Sequence, residues 1–206
     1  MIESVVLPLG FARQKTNEGF EYIKYTHTGF FSILPFISGH DNTFFISLAF
    51  QLRLDDVSRL LVIINNIGLD YADSYPTLAF GISSLTQTND NSIKIETYDE
   101  LNDGLKKLKS ILKNEAMTFY NSVKNLDDLD KEINSENRRK DLYCHEISQR
   151  PFIGFIAAVL NKNNRLSFLE NNYREKLKDA NSHIKNQYEN LVKHLQLNYP
   201  KSFNQD

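Results

Sequence analysis

The chain has 206 residues, 41 % of them hydrophobic and 24 % charged, with a formal net charge of −2. A chain this long buries a core without covalent staples, and its near-neutral balance excludes the basic footprint of bulk nucleic-acid binding. The only cysteine, Cys144, excludes an intramolecular disulfide and suits a reducing compartment.

Residues 1–10 read as a short helix or turn closing at Gly10, anchored by Leu7, Leu9 and Phe11. Met1–Val6 has neither the basic start nor the apolar stretch of a signal peptide. No apolar run reaches the ~18 residues of a membrane span, so the expected location is the cytoplasm. Beyond a polar stretch, Phe20–Thr26 is aromatic and β-branched and ends at the turn His27-Thr28-Gly29. Phe30–Ile37 is nearly all apolar, with Pro35 marking an edge or a bulge. Ser38–Asn42 is a turn cluster.

Thr43–Leu54 carries the clearest strand signal. Phe44, Ile46, Leu48, Phe50, Leu52 and Leu54 fall on one face at period two; Phe45, Ser47, Ala49, Gln51 and Arg53 fall on the other. One apolar and one half-polar face is the mark of an antiparallel sheet. Asp55 or Asp56 is expected to cap the next helix. Leu60, Leu61, Ile63, Ile64 and Ile67 would form its buried stripe, with Gly68 as its C′ residue. Thr77–Leu85 reads as extended, and Ser92–Glu96 as a short strand.

Thr97 and Glu100 match a capping box. Leu101, Leu105, Leu108 and Leu112 follow at helical spacing, making this helix a natural cover for the half-polar face. Helical spacing continues to Ile133, with a break near 121–128. Pro151 opens an apolar helix, Phe152–Leu160. A long helical pattern then runs from Leu166 to Leu195, with a break at Asn181-Ser182. The expected fold is a single α+β domain over 1–206. An antiparallel sheet from the N-terminal half is packed by helices, and the C-terminal half is mostly helical, with 134–206 a candidate helical subdomain.

Catalytic constellations are sparse. There is no Gly-x-Ser-x-Gly elbow, no Walker loop and no Gly-x-Gly-x-x-Gly. His183 and His194 share a helix face but sit ~16 Å apart along it, too far for one metal. Cys144, His145 and Glu146 are consecutive and point different ways. Asn125–Asp130 lacks the Gly and terminal Glu of a calcium loop, and its acids suit a helix start. No metal, cofactor or catalytic set is expected. Lys106, Lys109 and Lys113, and Arg138-Arg139-Lys140, are diluted by neighbouring acids.

Leu9-Gly10-Phe11, then Phe20-Glu21-Tyr22 and the amphipathic strand, resemble a broad set of uncharacterised bacterial α+β domains. In these a short helix ends in a Leu-Gly-Phe corner before an antiparallel sheet, and helices come last. Some proteins of this type are immunity proteins, so the resemblance implies a binding role.

Residues 1–100 hold 6 Lys and Arg against 12 Asp and Glu, the remainder 18 against 14. An acidic sheet half suits a basic protein partner. The expected contact residues are Phe45, Ser47, Gln51 and Arg53 on the half-polar face, with Asp41, Asp55, Asp56, Asp70 and Asp73. The expectation is therefore a protein-binding module of immunity or accessory type, without catalysis. Two alternatives compete with it. One is a small-molecule enzyme assembled from His27, His40, Asp41, His145 and Glu146; the other is a nucleic-acid accessory protein.

Overall fold

The alternation in Thr43–Leu54 builds the strand at the centre of a six-stranded sheet. A computed structural model describes residues 2–16, 19–68, 72–86, 88–135 and 149–203. Its strands are β1 (Ala12–Thr16), β2 (Gly19–Tyr25), β3 (Gly29–His40), β4 (Thr43–Leu54), β5 (Leu78–Gly81) and β6 (Ser92–Ile95). The order is β1-β2-β3-β4-β5, and β6 also pairs with β4. The fold is α+β, with the antiparallel sheet in the N-terminal half and a mostly helical C-terminal half. Two compact units share the chain: Met1–Leu52 with Leu78–Ser122, and Arg53–Thr77 with Val123–Asp206.

In the first unit, β5 and β6 lie in tandem along one edge of β4. Ala49 pairs with Gly81 and Leu52 with Leu78; Phe44 pairs with Ile95 and Ser47 with Ser92. The expected extended segment Thr77–Leu85 is therefore a strand only as far as Gly81. It then turns into a short helix, α3 (Ile82–Thr86). Asn91 bridges the interruption by accepting the Ser83 amide at 3.1 Å. Its carboxamide crowds Gly81 so closely that a Cβ there would stand 2.7 Å from Oδ1.

Sequence spacing sets the helical cover of this sheet. A complete capping box of Thr97 and Glu100 opens α4 (Tyr98–Ser110). A π-helical segment (Ile111–Ala116) follows and runs straight into α5 (Met117–Ser122). The Met117 amide reaches back five residues to the Leu112 carbonyl, widening one turn. Both Phe119 and Tyr120 end up buried. Tyr120 stacks on Phe31 with ring centroids 4.6 Å apart, and Phe119 meets Phe80 edge-on at 4.7 Å. The Tyr120 hydroxyl donates to the Ser32 carbonyl at 2.8 Å. Gly104 lets α4 approach β6, where Ile93 Cγ2 is 3.0 Å from the position of a Cβ. Ile93 pairs with Ile46, so α4 covers the apolar face, not the half-polar face expected of it.

Helix α1 (Ile2–Val6) and a 3-10 turn (Leu7–Leu9) end at Gly10, whose φ of 87° requires glycine. Val5, Val6 and Phe11 are the buried anchors, whereas Leu7 is exposed. The polar stretch after Phe11 turns out to be β1, paired with β2 from Ala12↔Ile23 to Thr16↔Gly19.

In the second unit, α2 (Asp55–Ile64) has Leu54 as N-cap and no side-chain cap, so Asp55 and Asp56 serve its first turn by charge alone. Its buried stripe starts at Val57 and runs through Leu60 and Leu61; that phase leaves Ile63 60 % exposed. Asn66, with φ of 52°, takes the C′ role expected of Gly68. Its amide bonds Ile63 O and the Ile67 amide bonds Val62 O, the two bonds of a Schellman ending.

The remaining helices are α6 (Leu126–Asn134), α7 (Gln149–Leu160), α8 (Leu166–Lys176), α9 (Ser182–Asn198) and α10 (Pro200–Phe203). Asn125 and Asn181 cap α6 and α9 through their side chains, at the two breaks expected. Helix α7 is buried from Arg150 to Val159, the condition of a helix apolar on all sides. It packs against α2, α6, α8, α9 and α10.

Candidate functional site

The half-polar face divides once its neighbours are known. Ser32 Oγ donates to Gln51 Oε1 at 3.3 Å, so the two share a face. Gln51 pairs with Ala79, Ala49 with Gly81, Ser47 with Ser92 and Phe45 with Lys94. Phe45, Ser47, Ala49 and Gln51 form a strip of mostly small, half-buried side chains. At its Phe45 end, Lys94 pairs with Glu96 at 2.8 Å, and Glu96 also accepts from Thr43 at 3.1 Å. The Lys94 hydrogen bond, then the Thr43 one, hold the Glu96 carboxyl below its ordinary range.

Arg53 departs from this strip. It is 4 % exposed, and its guanidinium donates to Asp55 (2.6 Å) and to the carbonyls of Ala72 (2.7 Å) and Tyr75 (2.9 Å). Its donors tie a loop to the start of α2. Asp55 serves this ion pair, Asp56 is exposed with Arg59 at 3.8 Å, and Asp73 is exposed. Asp41 sits in the β3–β4 turn with φ of 53° and accepts from His40 at 2.9 Å. Asp70 lies outside the described residues.

Among the described candidate enzymatic residues, His40 and Asp41 pair in an exposed turn and His27 lies apart from them. His27 precedes β3 and His40 ends it, twelve strand residues on, which span roughly 40 Å when straight. Cys144, His145 and Glu146 lie outside the described residues, as does Arg138-Arg139-Lys140. Lys106 is paired with Asp103 at 2.8 Å. Among the described residues, no three His, Cys, Asp or Glu side chains are grouped to hold a metal, and no helix is long and apolar enough to cross a membrane.

The most unusual surface is the far end of the β3–β4 hairpin. The ladder between β2 and β3 covers only Tyr22↔Ile33 to Tyr25↔Phe30. From Leu34 to His40, no residue of a described strand pairs with the outer side of β3. Pro35 stands just past the last pair, and it lacks the N–H a ladder needs. Beyond it, Phe36 (41 %), Ile37 (72 %) and, across the hairpin, Phe44 (51 %) are large apolar side chains in solvent. No charged residue stands between Pro35 and His40. Natural edges are usually blunted by charge; this one is not. Pro35 signalled an edge in the sequence, but nothing in the continuous apolar run 30–37 distinguished its buried half from its exposed half.

Compared with known proteins, the chain matches no family model, no curated sequence and no solved structure.

Proposed function

We propose that the chain is a protein-binding module that takes up an extended segment of its partner along the outer edge of β3, from Phe36 to His40. The observation that carries this reading is an uncharged, unpaired strand edge flanked by exposed Phe36, Ile37 and Phe44. Unpaired backbone N–H and C=O groups along an edge bind an added strand directionally. Apolar side chains beside them supply the affinity that backbone bonds alone lack in water. An immunity- or accessory-type role, as the sequence resemblance implies, belongs to this class. The single cysteine fits a reducing location such as the cytoplasm.

The test is selection of random linear peptides displayed on phage against the folded chain. Enriched peptides with alternating apolar residues are expected, with affinity reduced about tenfold or more by Ile37→Lys, since one buried Ile contributes ~1.5–3 kcal/mol. No enrichment, or binding indifferent to Ile37→Lys, would contradict the proposal. Concentration-dependent dimerisation through the same edge, seen by sedimentation, would replace the foreign segment with a second copy.

A further inference from the structure

The second unit contains a cleft of about 150 Å³, and it owes nothing to the strand edge. Its apolar wall is made by Leu61 of α2, Phe152 and Ile153 of α7 and Ile184 of α9. A void of this size accepts a molecule as large as benzene. The rest of the lining has a different chemistry. Asn65, Gln149 and Gln187 carry carboxamides, and Tyr75 carries a phenol. All four residues are half-buried, and none of the four side-chain heads has a hydrogen-bond partner among the described residues. The remaining hydroxyl, Thr77 Oγ1, is committed: it accepts the Leu54 amide at 2.8 Å and pairs with Ser58 at 2.7 Å. No charged side chain lines the cleft among the described residues.

These facts restrict the ligand. An ionic group would enter without a counter-charge, which disfavours it. A purely apolar ring would leave half-buried amides without partners. A carboxamide presents a donor and an acceptor side by side, so it pairs in two-bond fashion with an edge that does the same, as Asn and Gln do with nucleobases. We infer that this cleft binds a neutral single-ring heterocycle with a cyclic-amide edge, the class that includes pyrimidine nucleobases. The ring would lie against Phe152 and Ile184, with its polar edge toward Asn65, Gln149 and Gln187.

Ligand-observed NMR on the full chain tests this with uracil, 2-pyridone, benzene and the carboxylated uracil orotate. Uracil and 2-pyridone are expected to bind saturably at roughly millimolar concentration, the affinity open to so few atoms. Benzene and orotate should bind more weakly. Ile184→Trp fills the cleft from a half-exposed wall position and should abolish uracil binding, with folding checked by circular dichroism. Gln187→Ala, in the lining, should weaken binding about two- to tenfold, and it decides the matter if the Trp variant misfolds. The inference is overturned if uracil and 2-pyridone both fail to bind. It is equally overturned if benzene or orotate binds as tightly as uracil, or if binding survives in folded Ile184→Trp or is unchanged in Gln187→Ala.

Discussion

The near and far ends of the β3–β4 hairpin are built from the same kinds of residue and meet opposite fates. At the near end Phe31, Ile33, Leu48 and Phe50 are buried; at the far end Phe36, Ile37 and Phe44 face solvent. The difference lies in what stands beside the strands. The near end has β2 on the outer side of β3, and Phe31 has the Tyr120 ring above it. The far end keeps β6 beside β4 but has no strand paired to the outer side of β3 among the described residues. An apolar pattern shows which side chains share a face, and only tertiary neighbours decide which of them become core.

The largest test of this comparison makes one substitution at both ends of β4. Phe50→Ala removes a fully buried ring and should cost about 3–5 kcal/mol in urea unfolding. Phe44→Ala should stay within about 1 kcal/mol. Comparable losses at the two sites would break the comparison.

Next in size is Tyr120→Phe. It deletes the donor to the Ser32 carbonyl and leaves that carbonyl buried, so about 1–2 kcal/mol is expected. Burial pushes the Tyr120 phenol well above its ordinary range, which means the folded state holds this proton longer than the unfolded state. Stability from this group is present below the unfolded value of ~10 and falls as pH rises beyond it. Tyr120→Phe should flatten the loss of stability above about pH 10. Because burial raises Tyr188 and Tyr22 as well, the slope should be reduced and not abolished.

Two turns with nearly equal backbone strain provide a finer test. Lys162 ends α7 with φ of 54°, and Asp41 turns the hairpin with φ of 53°. Lys is a poor left-handed residue, whereas Asp tolerates that region. Lys162→Gly should therefore stabilise by about 0.5–1 kcal/mol, and Asp41→Gly by no more than a few tenths. Smallest of all, Ile37→Ser should leave the melting curve within about 0.5 kcal/mol of the parent.

Much of the fold was legible because local signals agreed with tertiary needs. The alternation of Thr43–Leu54, the Thr97–Glu100 box and the breaks before Leu126 and Ser182 each appear as read. Strand β1 escaped notice because Ala-Arg-Gln-Lys-Thr is an almost fully exposed edge, with no buried face to impose alternation. The π segment escaped because Leu108, Leu112 and Phe119 suit ordinary helical spacing as well as a widened turn.

Asp130 was hidden in what read as an ordinary acidic helix start. It is 2 % exposed and accepts the carboxamides of Asn134 (2.6 Å), Asn161 (2.8 Å) and Asn163 (2.9 Å). Those asparagines are remote in sequence or look like plain turn residues, and Asn161 and Asn163 clasp Lys162 between them. Asn134 also accepts from Tyr173, directly over Gly154, where an added methyl would overlap the phenol. The burial of Arg53 was hidden for a related reason. Period two placed it on the half-polar face, but the carbonyls that bury it come from a loop about twenty residues on. The exposed far end of the hairpin lay beyond sequence reading altogether, since its residues are those of a core.

Hydrogen exchange at individual β3 amides tests the open edge most directly. Amides from Phe30 to Ile33 have strands on both sides and should all be strongly protected. From Phe36 to His40, protected amides facing β4 should alternate with outward amides that exchange on the order of a hundredfold faster. Uniform strong protection through His40 would mean that the edge is already occupied, and would contradict the account.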